Sequence, residues 1–240
     1  MTERVQDTAP LLGGGAGEPG VEKHSRQLAK EVLSNLYDTK SAILGQAGLL
    51  VSVIYIYYHI LQNPIILFSG HPIFNLAGIF ILGEFILLVQ PNPKSGEHKT
   101  FSGQLHGILN TLSTVSFGLG FFYIFYNKSI HGAQHITTWH ATFGITTYSL
   151  LLLNMLLGVA QFWVPNLIFG SVNNGKRAYK YHRLLGYLTF LMLTLTVWLA
   201  IASDYNVNIL HLKSYFLIPS LGLFLTVLFF RLQLHKVKFW

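Results

Sequence analysis

ITTWHATFGITTYSLLLL, residues 136–153, begins with threonines and an imidazole and then runs on as a nearly unbroken apolar stretch. The run extends over 138–163. At 1.5 Å per helical residue, that is long enough to cross a hydrocarbon core of about 30 Å. An ionisable ring at the mouth of such a segment is costly unless something uses it. How the chain is read therefore depends on whether His140 is alone. Working outward, five more runs of similar length stand at about 42–62, 71–90, 104–126, 182–203 and 214–232, joined by short polar connections. The 240 residues are 51% hydrophobic and only 10% charged, whereas a water-soluble domain carries about a quarter charged residues. The chain cannot cover a water-facing surface. The fold class expected is all-α, an integral membrane six-helix bundle.

Residues 1–40 read as a cytosolic N-terminal tail, disordered at first (TAPLLGGGAGEPG) and then interfacial, with a short helix in VEKHSRQLAKEVLSNLYDTK. Residues 41–233 are the membrane domain and 234–240 a short cytosolic tail. No secretory leader is expected, since the first apolar run begins near Ala42. Of sixteen lysines and arginines, fourteen fall on the side of the N-terminus; Lys128 and Lys213 are the exceptions. The positive-inside bias puts both termini in the cytosol, and the net charge of +7 becomes a topology signal rather than a nucleic-acid footprint. DTAPLL at 7–12 is similar to acidic dileucine sorting signals, so an endomembrane (vacuole, lysosome, endosome or ER) is favoured over the plasma membrane. The chain has no cysteine. That excludes disulfides, iron–sulfur clusters, thiolate zinc sites and covalent haem attachment.

The histidines are ordered. Spans two and four start on the non-cytosolic side, with His71 in SGHPIFNLAG and His140 in TTWHATFG. Spans three and five start on the cytosolic side, with His106 in GQLHGILN and His182 in KYHRLLGY. Four consecutive helices thus supply one pair of imidazoles near each face. Two imidazoles facing each other can ligate a haem iron from both sides, which leaves no open position and favours electron transfer. Gly144 and Gly186 fall four residues after His140 and His182, and Gly103 three before His106. They share a helix face with those histidines, where a flat macrocycle could approach the backbone. A histidine-based copper or zinc transporter, or a cofactor-free membrane scaffold with histidines snorkelling at helix ends, is the alternative. A transporter would gather its ligands at mid-membrane.

The order HP, LHG, WHxxFG, YHRxxGY over helices two to five resembles the cytochrome b561 family of transmembrane di-haem reductases, most nearly its stand-alone subgroup. The resemblance covers 42–232. It implies a six-helix protein whose central four helices carry two haem b groups, His71 and His140 ligating the non-cytosolic iron and His106 and His182 the cytosolic one. It further implies an enzyme, a reductase that takes electrons from cytosolic ascorbate and passes them to monodehydroascorbate or a ferric chelate across the membrane, and it suggests a homodimer. The segment LLVQPNPKSGEHK departs from the family pattern: two prolines stand where a basic helical surface would continue. Lys94, Lys99, Arg177, Lys180 and Arg183 remain as sources of positive potential near the cytosolic haem, Arg183 being adjacent to His182. His131 and His135 lie in the non-cytosolic loop where an acceptor would arrive. Glu84 is expected to be a buried carboxylate with no catalytic role, and Asn110, Asn154 and Gln161 are expected to form interhelical hydrogen bonds. His59 is expected at an interface, and His24, His98, His211 and His235 in loops or tails.

Overall fold

A computed structural model of the chain describes residues 19–37, 39–91 and 94–231. The sorting-signal match at 7–12 and the tail at 234–240 lie outside the described residues. The helices are α1 (Pro19–Ser34), α2 (Lys40–Leu61), α3 (Gly70–Val89), α4 (Gly96–Ile130), α5 (Trp139–Phe162), α6 (Pro165–Phe169), α7 (Val172–Arg177), α8 (Tyr179–Ala200) and α9 (Ser214–Phe230). Among the described residues, five segments are long and apolar enough to cross a membrane: those built on α2, α3, α4, α5 and α8. The sixth, α9, has 17 residues and carries Pro219 within it. The molecule is an all-α membrane bundle.

The boundaries follow from capping chemistry. Thr39, Ser95 and Thr138 each accept a backbone N–H from the first turn of α2, α4 and α5, worth about 1 kcal/mol apiece. The QPNP interruption ends α3 at Val89. Helix α4 is longer than the 104–126 expected, with 35 residues, or about 52 Å. Nothing between the Ser95 cap and Gly132, whose φ is +61°, breaks it, so polar residues extend it beyond the membrane at both ends. The segment PNLIFGSVNNGKRAYK is more ordered than the loop expected. Pro165 at the first turn and Gly170 in the left-handed region frame α6, and the Ser171 hydroxyl caps α7. Helix α1 packs on α3 and α4. There the Asn35 Nδ2 donates to the Leu88 carbonyl at 2.8 Å, and His24 meets Glu97 at 3.0 Å.

Three antiparallel pairs carry the packing: α3 with α4, α5 with α8, and α2 with α9. The α3–α4 and α5–α8 pairs touch one another far less than their members do, which leaves space between them. The outward faces carry exposed large apolar side chains, Leu112, Phe122, Leu153 and Leu156 among them, as lipid contact requires. Lipid tails supply no hydrophobic drive for helix association, so close backbone approach matters most. Gly48 illustrates it: a Cβ there would sit 2.6 Å from the Ser220 carbonyl oxygen and 3.2 Å from the Phe224 nitrogen. Both are backbone atoms on α9 and cannot swing aside. Gly48→Ala is therefore expected to destabilise the bundle by about 1–3 kcal/mol, read as a lower melting temperature in detergent. At Gly144, by contrast, a Cβ would meet only Thr196 Cγ2, at an ordinary 3.7 Å, so helix packing does not require a glycine there.

Candidate functional site

His71 enters at the first turn of α3 and His140 at the first turn of α5; their ring centroids lie 6.1 Å apart with planes at 85°. His106 on α4 and His182 at the start of α8 repeat this at 6.1 Å and 83°. Two metal–imidazole bonds of about 2.0 Å, plus the distance from each nitrogen to its ring centre, place two rings gripping one ion about 6 Å apart. Both pairs have that spacing.

Backbone carbonyls orient three of the rings. His71 Nδ1 donates to the Gly120 carbonyl at 2.9 Å, His140 Nδ1 to that of Thr196 at 2.9 Å, and His182 Nδ1 to that of Asn154 at 3.1 Å. A carbonyl can only accept, so each Nδ1 carries the proton and each Nε2 offers its lone pair across the pair. Gly120 lies 14 residues beyond His106 on α4, Asn154 14 beyond His140 on α5, and Thr196 14 beyond His182 on α8. Fourteen residues are close to four full turns, so each helix presents a histidine and an orienting carbonyl on nearly one face, about 21 Å apart along its axis. His106 breaks the pattern, its Nδ1 buried without a hydrogen-bond partner. Asn75, one turn after His71, ties the first pair together. It donates to the His71 carbonyl at 2.7 Å and accepts from the Tyr148 hydroxyl of α5 at 2.7 Å.

A cavity of about 590 Å³ opens around His106 and His182 between the two helix pairs, within the span of about 300–1,000 Å³ usual for cofactor sites. Gly103, Gly107, Gly158 and Gly186 line it. A Cβ on Gly158 would come within 3.0 Å of His182 Cε1, and one on Gly186 within 3.3 Å of Asn154 Nδ2. Of the three glycines picked out by their spacing from histidines, Gly103 and Gly186 lie in this wall and Gly144 does not; Gly158 has no histidine at helical spacing to mark it. The Asn154 and Gln161 side-chain oxygens are buried without partners in the same wall. Their expected interhelical bonds are not formed; only the Asn154 backbone carbonyl makes one. A facing imidazole pair, a glycine-lined slot and orphaned polar atoms together fit a flat iron tetrapyrrole. Among the described residues no three or more His, Asp or Glu converge as a cage for a bare metal ion.

The basic residues divide. Lys99 and Arg183 line the cavity, and Lys176, Arg177, Lys180 and Arg183 line a neighbouring surface depression. Lys94 is in neither lining; its backbone N–H donates to His98 Nδ1 at 3.0 Å. His98 corrects the expectation of a loop residue: it lies in the first turn of α4, 2% exposed, and lines the cavity. His24 is not a free tail residue either, given its contact with Glu97. His131 and His135 are exposed at the other end. His131 Nδ1 donates to the Asn127 carbonyl at 2.7 Å, and His135 stacks on Phe125 at 4.9 Å. Glu84 is partly buried in α3 and outside the cavity wall.

Residues 70–207, from the start of α3 past the end of α8, match the sequence model of eukaryotic cytochrome b561. The segment contains all four paired histidines. The chain is 24% identical over 130 residues to ascorbate-specific transmembrane electron transporter 2 of Zea mays, covering 54% of this chain and 53% of that protein. It is 25% identical over 130 residues to transporter 1 of the same plant. To the probable ascorbate-specific transmembrane electron transporter 2 of Oryza sativa subsp. japonica it is 27% identical over 142 residues, 58% of each chain. The matches thus span little more than half the length of these relatives.

Proposed function

Because the chain belongs to the eukaryotic cytochrome b561 family, we propose that it carries electrons across a membrane between two b haems, from ascorbate in the cytosol to monodehydroascorbate or a ferric chelate opposite. The observation that carries this reading is the repeated pairing of His71 with His140 and of His106 with His182 at one spacing and one mutual angle. Haem, when bound, supplies one-electron redox chemistry at iron. The chain does the rest. The facing imidazoles of each pair would hold the iron from two sides and leave oxygen and substrate no open site on it. The carbonyls of Gly120, Thr196 and Asn154 hold the Nδ1 protons and make the ligands more basic.

Depth explains the need for two pairs. A hydrocarbon core of about 30 Å is too thick for one buried group to be reached from both aqueous sides. Levels about 21 Å apart bring one pair near each surface. Ascorbate arrives as a monoanion and leaves as monodehydroascorbate, having lost one electron and one proton. Lys99 and Arg183 raise the positive potential at the cavity beside His106 and His182, which draws an anion in. The relatives' names, ascorbate-specific transmembrane electron transporters, support this donor, and the preponderance of basic side chains at this end supports its cytosolic placement. The acceptor end is that of His71 and His140, where exposed His131 and His135 offer imidazoles to an arriving chelate.

Stopped-flow mixing of purified protein with ascorbate, then with a ferric chelate, tests the reading: rapid reduction and then rapid reoxidation of the haem bands are expected. No reduction by ascorbate would overturn the donor. The double variant Lys99→Ala/Arg183→Ala is expected to raise the ascorbate KM about tenfold and to flatten its salt dependence, with the haem spectrum unchanged.

A further inference from the structure

We propose that His98 is a substrate-binding residue, donating a hydrogen bond from Nε2 to an oxygen of the anionic enediol that reduces the chain at its basic end. The inference rests on the ascorbate reading above and adds to it a residue outside the charged set. Four observations carry it. His98 is 2% exposed. It lines the same cavity as His106, His182, Lys99 and Arg183. Its position is fixed from the backbone, because its own N–H donates to Ser95 Oγ at 3.0 Å. Its tautomer is also fixed. Lys94 N–H can only donate, so at 3.0 Å His98 Nδ1 must accept, and the ring proton of the neutral imidazole belongs to Nε2.

The cavity wall thereby gains a neutral, directional donor about 12 Å along α4 from His106. It stands beside Lys99, which supplies attraction without direction. An enediolate carries adjacent oxygens on a planar frame. A point charge and an oriented N–H together select such a group over a generic anion, because the oriented donor is satisfied only by an oxygen at one place. The competing role for His98 is purely architectural: Nδ1 anchors the turn that joins α3 to α4 through Lys94.

Two substitutions separate the roles. His98→Asn keeps an acceptor at the δ position for Lys94 N–H and removes the ε donor; His98→Gln keeps an amide donor at the ε position and loses the δ acceptor. Ascorbate titrations of haem reduction in full-length purified protein are the readout, with dithionite reduction and haem content measured alongside. His98→Asn is expected to raise the ascorbate KM about tenfold, the weight of one hydrogen bond to a charged group, and His98→Gln to restore most of the loss. Haem content and dithionite reduction should stay unchanged in both. A normal KM in His98→Asn, whether or not His98→Gln is impaired, would overturn the proposal. If ascorbate fails to reduce the unsubstituted protein, the donor assignment itself is wrong and this inference falls with it.

Discussion

His182→Ala, and equally His106→Ala, is expected to yield protein that ascorbate no longer reduces, although about one haem per chain remains. Each ring is half of a facing pair at 6.1 Å, and its partner alone would hold an iron from one side only. The remaining pair lies about 21 Å deeper along the helices, out of reach of a donor held at the basic end. Dithionite should still reduce the surviving haem, since a small reductant reaches both faces of a detergent-solubilised protein. Activity from ascorbate should drop to the uncatalysed background. Residual ascorbate reduction at the normal rate would mean that the donor meets a different group.

The opposite pair should fail in the opposite way. His140→Ala, and likewise His71→Ala, is expected to keep fast reduction by ascorbate and to lose delivery across the membrane. In vesicles loaded with ferric chelate, internal ferrous iron should form only at background rate, while about half of the haem absorbance persists and responds to external ascorbate. His140 is oriented by the Thr196 carbonyl and His71 by that of Gly120. Neither carbonyl touches the His106–His182 pair, so the two lesions should stay separate. A His140→Ala protein that loses both haems would show that the pairs fold as one unit.

Much of the site was legible because lipid makes polar residues conspicuous. Four histidines at the starts of four apolar runs, alternating in side, have few arrangements open to them, and the helices bring them together two by two. The spans were legible for the same reason. What was not legible depends on contacts between distant segments. His98 sits in a polar stretch and reads as solvated. Its ring instead lines a cavity shared with residues of α3, α5 and α8, segments distant in the sequence. Asn75 was overlooked, although its position four residues after His71 is a helical signal; its bond to Tyr148 appears only once α5 is placed. Gly158 carries no local cue, because the imidazole it accommodates comes from α8. Helices α6 and α7 were hidden by brevity, though Pro165, Gly170 and Ser171 are ordinary helix punctuation.

The central claim, that these four imidazoles hold two haems, is tested most directly by haem stoichiometry. Purified full-length protein should give about two haem b per chain by pyridine haemochrome assay, and about one in each of the four single His-to-Ala variants. A protein that purifies without porphyrin, or a His140→Ala variant that keeps the full complement and an unaltered spectrum, would contradict the account.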